Sequence, residues 1–232
     1  MGRIVAIASG DLGTTKVINE YAIKMINSTS RKVLFLGTAS HDAVEYIENF
    51  SKTFRELGCE VRALQLTAKE YSHEEIQEHI SWADLIYVGG GDTIFMRNVW
   101  KKCGVDALLI EVYEKDTAVL MGISAGAICW FQCGGTDSEL AEVKTGATYG
   151  WANDMLNIHG YAFCPHYEDR VEDFATLLEE KTMSGFAFES DAAFVEENGT
   201  IYYIKSDEAA KAYLFAYQDG KYHKEELRLK LV

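Results

Sequence analysis

Short uninterrupted apolar runs recur along this chain. They alternate with longer stretches in which apolar residues return every three or four positions. RIVAIAS (3–9), KVLFLGTA (32–39), EVRALQL (60–66), ADLIYVGG (83–90) and TAVLMGIS (117–124) are the short runs, and each ends near Gly, Ser or Thr. Between them lie TTKVINEYAIKMIN, HDAVEYIENFSKTFRELG, YSHEEIQEHISW and TIFMRNVWKKCGVDALLIEVYEK. A short apolar run without alternation fits a strand buried on both faces, and the amphipathic stretches fit helices that cover those faces. The alternation therefore predicts βαβ units with right-handed crossovers. The expected fold is an α/β three-layer sandwich with a mostly parallel sheet and helices on both faces.

The C-terminal third changes period. GFAFESDAAFVEENGTIYYIK reads as a strand followed by strand, Asn-Gly and strand, and AYLFAYQDGKYHKEEL repeats the pattern around Asp-Gly. Both are antiparallel hairpin signals. No Pro/Ser-rich linker, internal repeat or low-complexity segment interrupts the 232 residues, so residues 1–232 are expected to form one α/β domain. Hydrophobic residues make up 48%, enough for a sizeable core. The net charge of −14 repels phosphate backbones and anionic lipids, which argues against nucleic-acid or membrane partners. RIVAIASGD turns polar too early for a secretory leader, and no apolar run reaches bilayer-spanning length. Five scattered cysteines, an odd number, suit a reducing cytoplasm. No feature of the pattern separates a monomer from a homodimer.

In a parallel α/β sheet, ligands bind outside the carboxyl ends of the strands. Here those ends read SGDLG (9–13), GTASHD (37–42), GGGDT (89–93) and GISAG (122–126). G-x-S-x-G between a buried strand and a helix is a nucleophile elbow, in which a strained turn projects the Ser124 hydroxyl and the Ala125 amide opens the helix toward an oxyanion. The alternative is a plain tight turn. A serine needs a base. Of six histidines, His41, His73 and His79 precede the elbow and His223 lies near a late hairpin turn. His159 and His166 remain, and YAFCPHY reads as a short strand whose far end presents His166, fixed by Pro165. The base in turn needs an orienting acid. Glu189 ends an apolar strand, where an unpaired charge is costly; Asp191 is the reserve, and Asp137 and Glu139 follow the elbow helix. GGGDT supplies consecutive amides at Gly90 and Gly91 for a second oxyanion donor. Its Asp92 and Thr93 either cap the next helix or face substrate. CWFQC (129–133) places two cysteines on the elbow helix as packing residues. No Cys/His set nearby completes a metal site, and no phosphate-loop signature is present.

The order strand–GGGDT–helix, GISAGA, CPHY and an acid before an AAFV strand resembles the peptidase E family, over roughly residues 1–205. These are serine peptidases of the class I glutamine amidotransferase-like fold, related to cyanophycinases. The resemblance implies Ser124 as nucleophile, His166 as base, and Gly90 or Gly91 with Ala125 as oxyanion donors. It places the third acid near Glu189, within ESDAA. It further implies hydrolysis of small peptides without a cofactor. Peptidase E itself cleaves dipeptides with N-terminal aspartate and grips that side chain with an arginine; Arg170 is the nearest basic residue to His166 in that role. An esterase or amidase using the same triad, or a non-catalytic binding domain of this fold, are the competing expectations.

Overall fold

In the computed structural model, which describes residues 2–139, 141 and 149–232, every one of the five apolar runs contains a strand. These are β1 (Arg3–Ile7), β2 (Lys32–Leu36), β3 (Glu60–Ala63), β4 (Leu85–Val88) and β5 (Val119–Ile123). The amphipathic stretches form α1 (Lys16–Lys24), α2 (Val44–Glu56) and α3 (His73–Trp82). The last stretch is two helices, α4 (Thr93–Cys103) and α5 (Val105–Lys115), broken at Gly104, whose φ of 77° ends one helix and starts the next. A short helix, α6 (Ala125–Ile128), follows β5.

Beyond the elbow the chain builds β6 (Phe131–Thr136), β7 (Gly150–Ala152), β8 (His159–Cys164), α7 (Tyr167–Lys181) and β9 (Gly185–Phe188). Two hairpins follow, β10 (Ala192–Glu197) with β11 (Thr200–Lys205), and β12 (Ala212–Gln218) with β13 (Lys221–Glu226); β14 (Lys230–Leu231) closes the edge. Both hairpin turns, Asn198-Gly199 and Asp219-Gly220, have positive φ at both positions, as a two-residue turn with this twist requires.

Among the described residues, an eight-stranded sheet runs β14-β11-β10-β1-β5-β4-β2-β3, and a six-stranded sheet runs β13-β12-β9-β8-β6-β7. In the first sheet, β1, β5, β4, β2 and β3 are mutually parallel. The second sheet was not expected, and it corrects one reading. CWFQC does not lie on the elbow helix: α6 stops at Ile128, Cys129 caps it, and Cys133 is on β6. β9 and β10, adjacent in sequence, lie in different sheets, so Glu189, Ser190 and Asp191 form the crossing between them.

Side chains alternate across the main sheet. Val5, Ile7, Val33, Phe35, Leu85, Tyr87 and Met121 face α1 and α2, where Phe50 and Phe54 are wholly buried. Ile4, Ala6, Leu34, Leu36, Ile86, Val88 and Leu120 face α3 to α6, together with Phe131, Phe163, Phe186 and Phe188 of the second sheet. Burying each such phenylalanine contributes roughly 1.5–3 kcal/mol. The far face of the second sheet is covered by Phe174, Leu177 and Leu178 of α7. One buried polar cluster ties the layers together at the end of the sheet remote from the elbow. His159 Nε2 on β8 lies 3.1 Å from Glu196 Oε2 on β10, and the Tyr113 hydroxyl on α5 donates to the same carboxylate at 2.9 Å.

Candidate active site

Register decides what meets at the carboxyl edge. Ile7 pairs with Ile123 and Val88 with Gly122, so the loops after β1, β4 and β5 emerge side by side. Ser124, the first residue past β5, has φ 54° and ψ −114°, a region that side chains rarely occupy. Its amide donates to the Ile7 carbonyl at 3.0 Å, which anchors the turn. The flanking glycines are required by close approach. A Cβ on Gly122 would lie 2.1 Å from the Gly126 carbonyl oxygen, and a Cβ on Gly126 would lie 2.2 Å from the Val88 carbonyl oxygen. The helix therefore starts hard against the strands, and the Ser124 side chain is left projecting from the turn.

His166 is the first residue past Pro165 at the end of β8. It is left-handed, with φ 52°, and forms the N-cap of α7. That turn aims its ring back across the boundary between the sheets, and Ser124 Oγ lies 2.9 Å from His166 Nε2. Burial holds the imidazole below the usual histidine value, and the nearby Arg170 cation lowers it further; the carboxylates of Glu168, Asp137 and Asp169 act in the opposite direction. Burial wins, so the ring is kept neutral and its Nε2 can take a proton from Ser124.

Both residues line a cavity of about 660 Å³, together with Gly91, Asp92, Asp137, Tyr149 and Arg170. Gly91 (φ 137°) is pressed against the 3₁₀ turn Thr38–Ser40, so that a Cβ there would lie 2.2 Å from the Ala39 carbonyl oxygen. Among the described residues neither the Gly91 nor the Ala125 amide has an acceptor, and both are free to hold a developing oxyanion. Gly90 differs: its N–H donates to the Tyr46 hydroxyl at 3.4 Å. Asp92 caps α4, accepting from the Phe95 amide at 2.9 Å and from the Ser138 hydroxyl at 2.6 Å, and still lines the cavity. Thr93 is buried, with its hydroxyl 3.3 Å from that of Thr136, and does not line it.

Arg170, one turn into α7, is only 6% exposed. Its guanidinium donates to the Gly135 carbonyl at 2.7 Å, lies 3.9 Å from Asp137 Oδ1 and stacks 4.4 Å from the Tyr149 ring centroid. Its Nε is buried without a partner among the described residues.

The acids are arranged differently from the expectation. Among the described residues no hydrogen bond joins His166 to Glu189, Asp191 or Asp137. Glu189 Oε2 instead accepts the Lys211 amide at 3.0 Å. The crossing segment is tied to α7 through its serine: the Ser190 amide donates to Glu168 at 3.1 Å and the Ser190 hydroxyl donates to the same carboxylate. Glu168 is one of the carboxylates whose charge opposes the lowering of His166. The sequence assigned no role in the site to Glu168, to Tyr149 or to His41, whose ring lies tilted 4.0 Å from that of Phe95 at the cavity wall. For Glu168 a signal existed, its place two residues after the base; Tyr149 is brought in only by the second sheet.

The family model for peptidase family S51 matches residues 4–204. The chain is 33% identical over 223 residues to the uncharacterized peptidase YgaJ of Bacillus subtilis (strain 168), covering 92% of this chain and 91% of that one. It is 29% identical over 150 residues to the uncharacterized peptidase Lmo0363 of Listeria monocytogenes serovar 1/2a, covering 62% and 69%. Among solved structures, a peptidase from an acI-B1 Actinobacterium superposes with a TM-score of 0.73 over 97% of this chain and 94% of that one, at 16% identity, a likeness of fold.

Proposed function

The chain belongs to peptidase family S51, the peptidase E family of serine-type peptidases, and from that premise we propose that it hydrolyses small peptides, dipeptides with N-terminal aspartate foremost, through an acyl-enzyme on Ser124. The observation that carries this reading is the 2.9 Å contact between Ser124 Oγ at a strained elbow and a neutral His166. His166 takes the Ser124 proton as Oγ attacks the scissile carbonyl, and the amides of Gly91 and Ala125 hold the oxyanion. His166 then gives the proton to the leaving amine. Water repeats the sequence against the ester, releasing the acid and restoring Ser124. No step in this cycle calls for a metal or organic cofactor.

The imidazolium formed midway is stabilised by the field of Glu168, Asp137 and Asp169. Glu168, held by Ser190, contributes to that field without a hydrogen bond to the ring among the described residues, and Glu189 is turned to the Lys211 amide. Arg170 supports the aspartate preference, because it lines the Ser124 cavity of a chain whose net charge is −14. At about 4 Å and an effective dielectric near 20, one charge pair is worth roughly 4 kcal/mol before desolvation, enough to outweigh the long-range field locally.

The test has three arms. A fluorophosphonate should leave its adduct on Ser124, located by mass spectrometry. Asp-X dipeptides should be cleaved faster than Ala-X or Leu-X dipeptides and than p-nitrophenyl esters. Arg170→Met should remove the Asp-X advantage and spare neutral substrates. A fully active Ser124→Ala enzyme would sink the acyl-enzyme. Equal turnover of Asp-X and Leu-X would remove the specificity and leave the peptidase, and faster turnover of the esters would favour an esterase.

A further inference from the structure

We propose that the chain carries a second small-molecule site, on the α1–α2 face of the main sheet behind the nucleophile strand, built for a zwitterion of amino-acid size. A cavity of about 560 Å³ lies there between the loop Gly10–Gly13, α2 and the ends of β4 and β5. Among the described residues, none lines both this cavity and the one holding Ser124 and His166. Its volume is that of a small-molecule site.

The walls carry groups that the fold does not use. Tyr87 on β4 is wholly buried, lines the cavity, and its hydroxyl has no partner among the described residues. Buried phenols almost always find one. Tyr46, on α2, accepts the Gly90 amide with its hydroxyl oxygen and keeps its own proton to donate. Burial pushes both phenols above the ordinary tyrosine value, so both stay protonated donors. Lys52 and Glu56 stand one turn apart on α2 at the same cavity, and among the described residues neither forms an ion pair. Asp11 is already engaged, since its Oδ1 accepts the Gly13 and Thr14 amides at 2.6 and 3.0 Å.

Two phenolic donors and an ammonium suit a carboxylate. A free glutamate suits an ammonium, and Leu12 and Ile123 offer apolar wall between them. The lining holds one cation, Lys52, and two carboxylates, Glu56 and the amide-bound Asp11, a set that selects a ligand bearing both charges over a lone anion. The site also touches the catalytic edge from behind: Ile123 leads directly into Ser124, and Tyr46 holds the amide next to Gly91.

The test is a binding titration that needs no activity, so it stands or falls apart from the peptidase reading. Isotope-labelled chain is titrated with L-leucine and L-lysine, and with N-acetyl-leucine and leucine amide, which each lack one charge. Saturable amide shifts are expected at residues 10–13, 46–56 and 90 for at least one free amino acid. The two single-charge analogues should bind tenfold or more weaker than leucine. Lys52→Met and Tyr87→Phe should each weaken binding about tenfold, and Arg170→Met, in the other cavity, should leave it unchanged. The proposal is overturned if no amino acid saturates these amides by about 10 mM, if the shifts centre on residues 91, 124 and 166, if the single-charge analogues bind equally well, or if either cavity variant titrates like the native chain.

Discussion

Replacing Ser124 by alanine and by glycine separates the chemistry of the elbow from its strain. Both variants lose Oγ and its 2.9 Å contact with His166, so that loss cancels between them. What differs is the Cβ. At φ 54° and ψ −114° a residue with a side chain is strained by about 1–3 kcal/mol, and alanine keeps that strain while glycine relieves it. Glycine also has more freedom in the unfolded chain, which costs about 0.5–1 kcal/mol. The difference leaves Ser124→Gly more stable than Ser124→Ala by about 1 kcal/mol. For a chain of this size that is about 2–4 °C in Tm. Urea unfolding of the two variants with a common slope measures it directly. In the proposed cycle, peptide hydrolysis should fall by several orders of magnitude in both, to the residue of rate assigned there to the Gly91 and Ala125 amides. An alanine variant as stable as the glycine variant, or more so, would refute the argument, because the turn would then hold a Cβ without strain.

Three further outcomes follow from the same geometry. The base must be neutral to act, and burial together with Arg170 holds His166 below its ordinary value of 6.5; kcat/KM should therefore fall with an acid limb below pH 6.5, and Arg170→Met should move that limb upward, whereas a native limb at or above 6.5 contradicts the assignment. Gly126→Ala drives a methyl group into the Val88 carbonyl oxygen at 2.2 Å, so it should cost roughly 2–3 kcal/mol in urea unfolding and depress activity by displacing the elbow; a change below about 0.5 kcal/mol contradicts it. Burial pushes the Glu196 carboxyl up, but the contacts from His159 and Tyr113 outweigh it and hold the group below its unfolded value of 4.5. Its stabilisation is present above that value and lost as pH falls through the lower folded one, so Glu196→Gln should cost about 1–3 kcal/mol at pH 7 and flatten the acid arm of a plot of Tm against pH; an unchanged arm removes Glu196 from the account.

The elements of the main sheet were legible because each is specified locally. A strand buried on both faces must be apolar without alternation, and a helix covering it must be amphipathic, so β1 to β5 and α1 to α3 fall inside the runs that announce them. The two hairpins were legible for the same reason, since Asn-Gly and Asp-Gly accept positive φ at both turn positions. The elbow was legible because its glycines answer to neighbours fixed by strand order: Gly122 meets Gly126, and Gly126 meets the adjacent strand at Val88. The place of His166 at a strand end was legible because a strand and a proline present it.

The tertiary structure decided everything that depends on which distant segments touch. CWFQC is as apolar as a buried helix, and pairing with β8 makes its second part, from Phe131, strand. Glu189 and Ser190 are neighbours in sequence, yet the crossing from one sheet to the other turns Glu189 to the Lys211 amide and Ser190 to Glu168. Gly90 and Gly91 read alike as amide donors, but a tyrosine from α2 takes the first and leaves the second free. Arg170 reads as one more charge on an acidic helix, and only the approach of Gly135 buries it. Local sequence sets backbone conformation because sterics and burial act on each residue and its near neighbours. The partner of a polar side chain is set by the packing of segments many residues apart, and no local pattern encodes that choice.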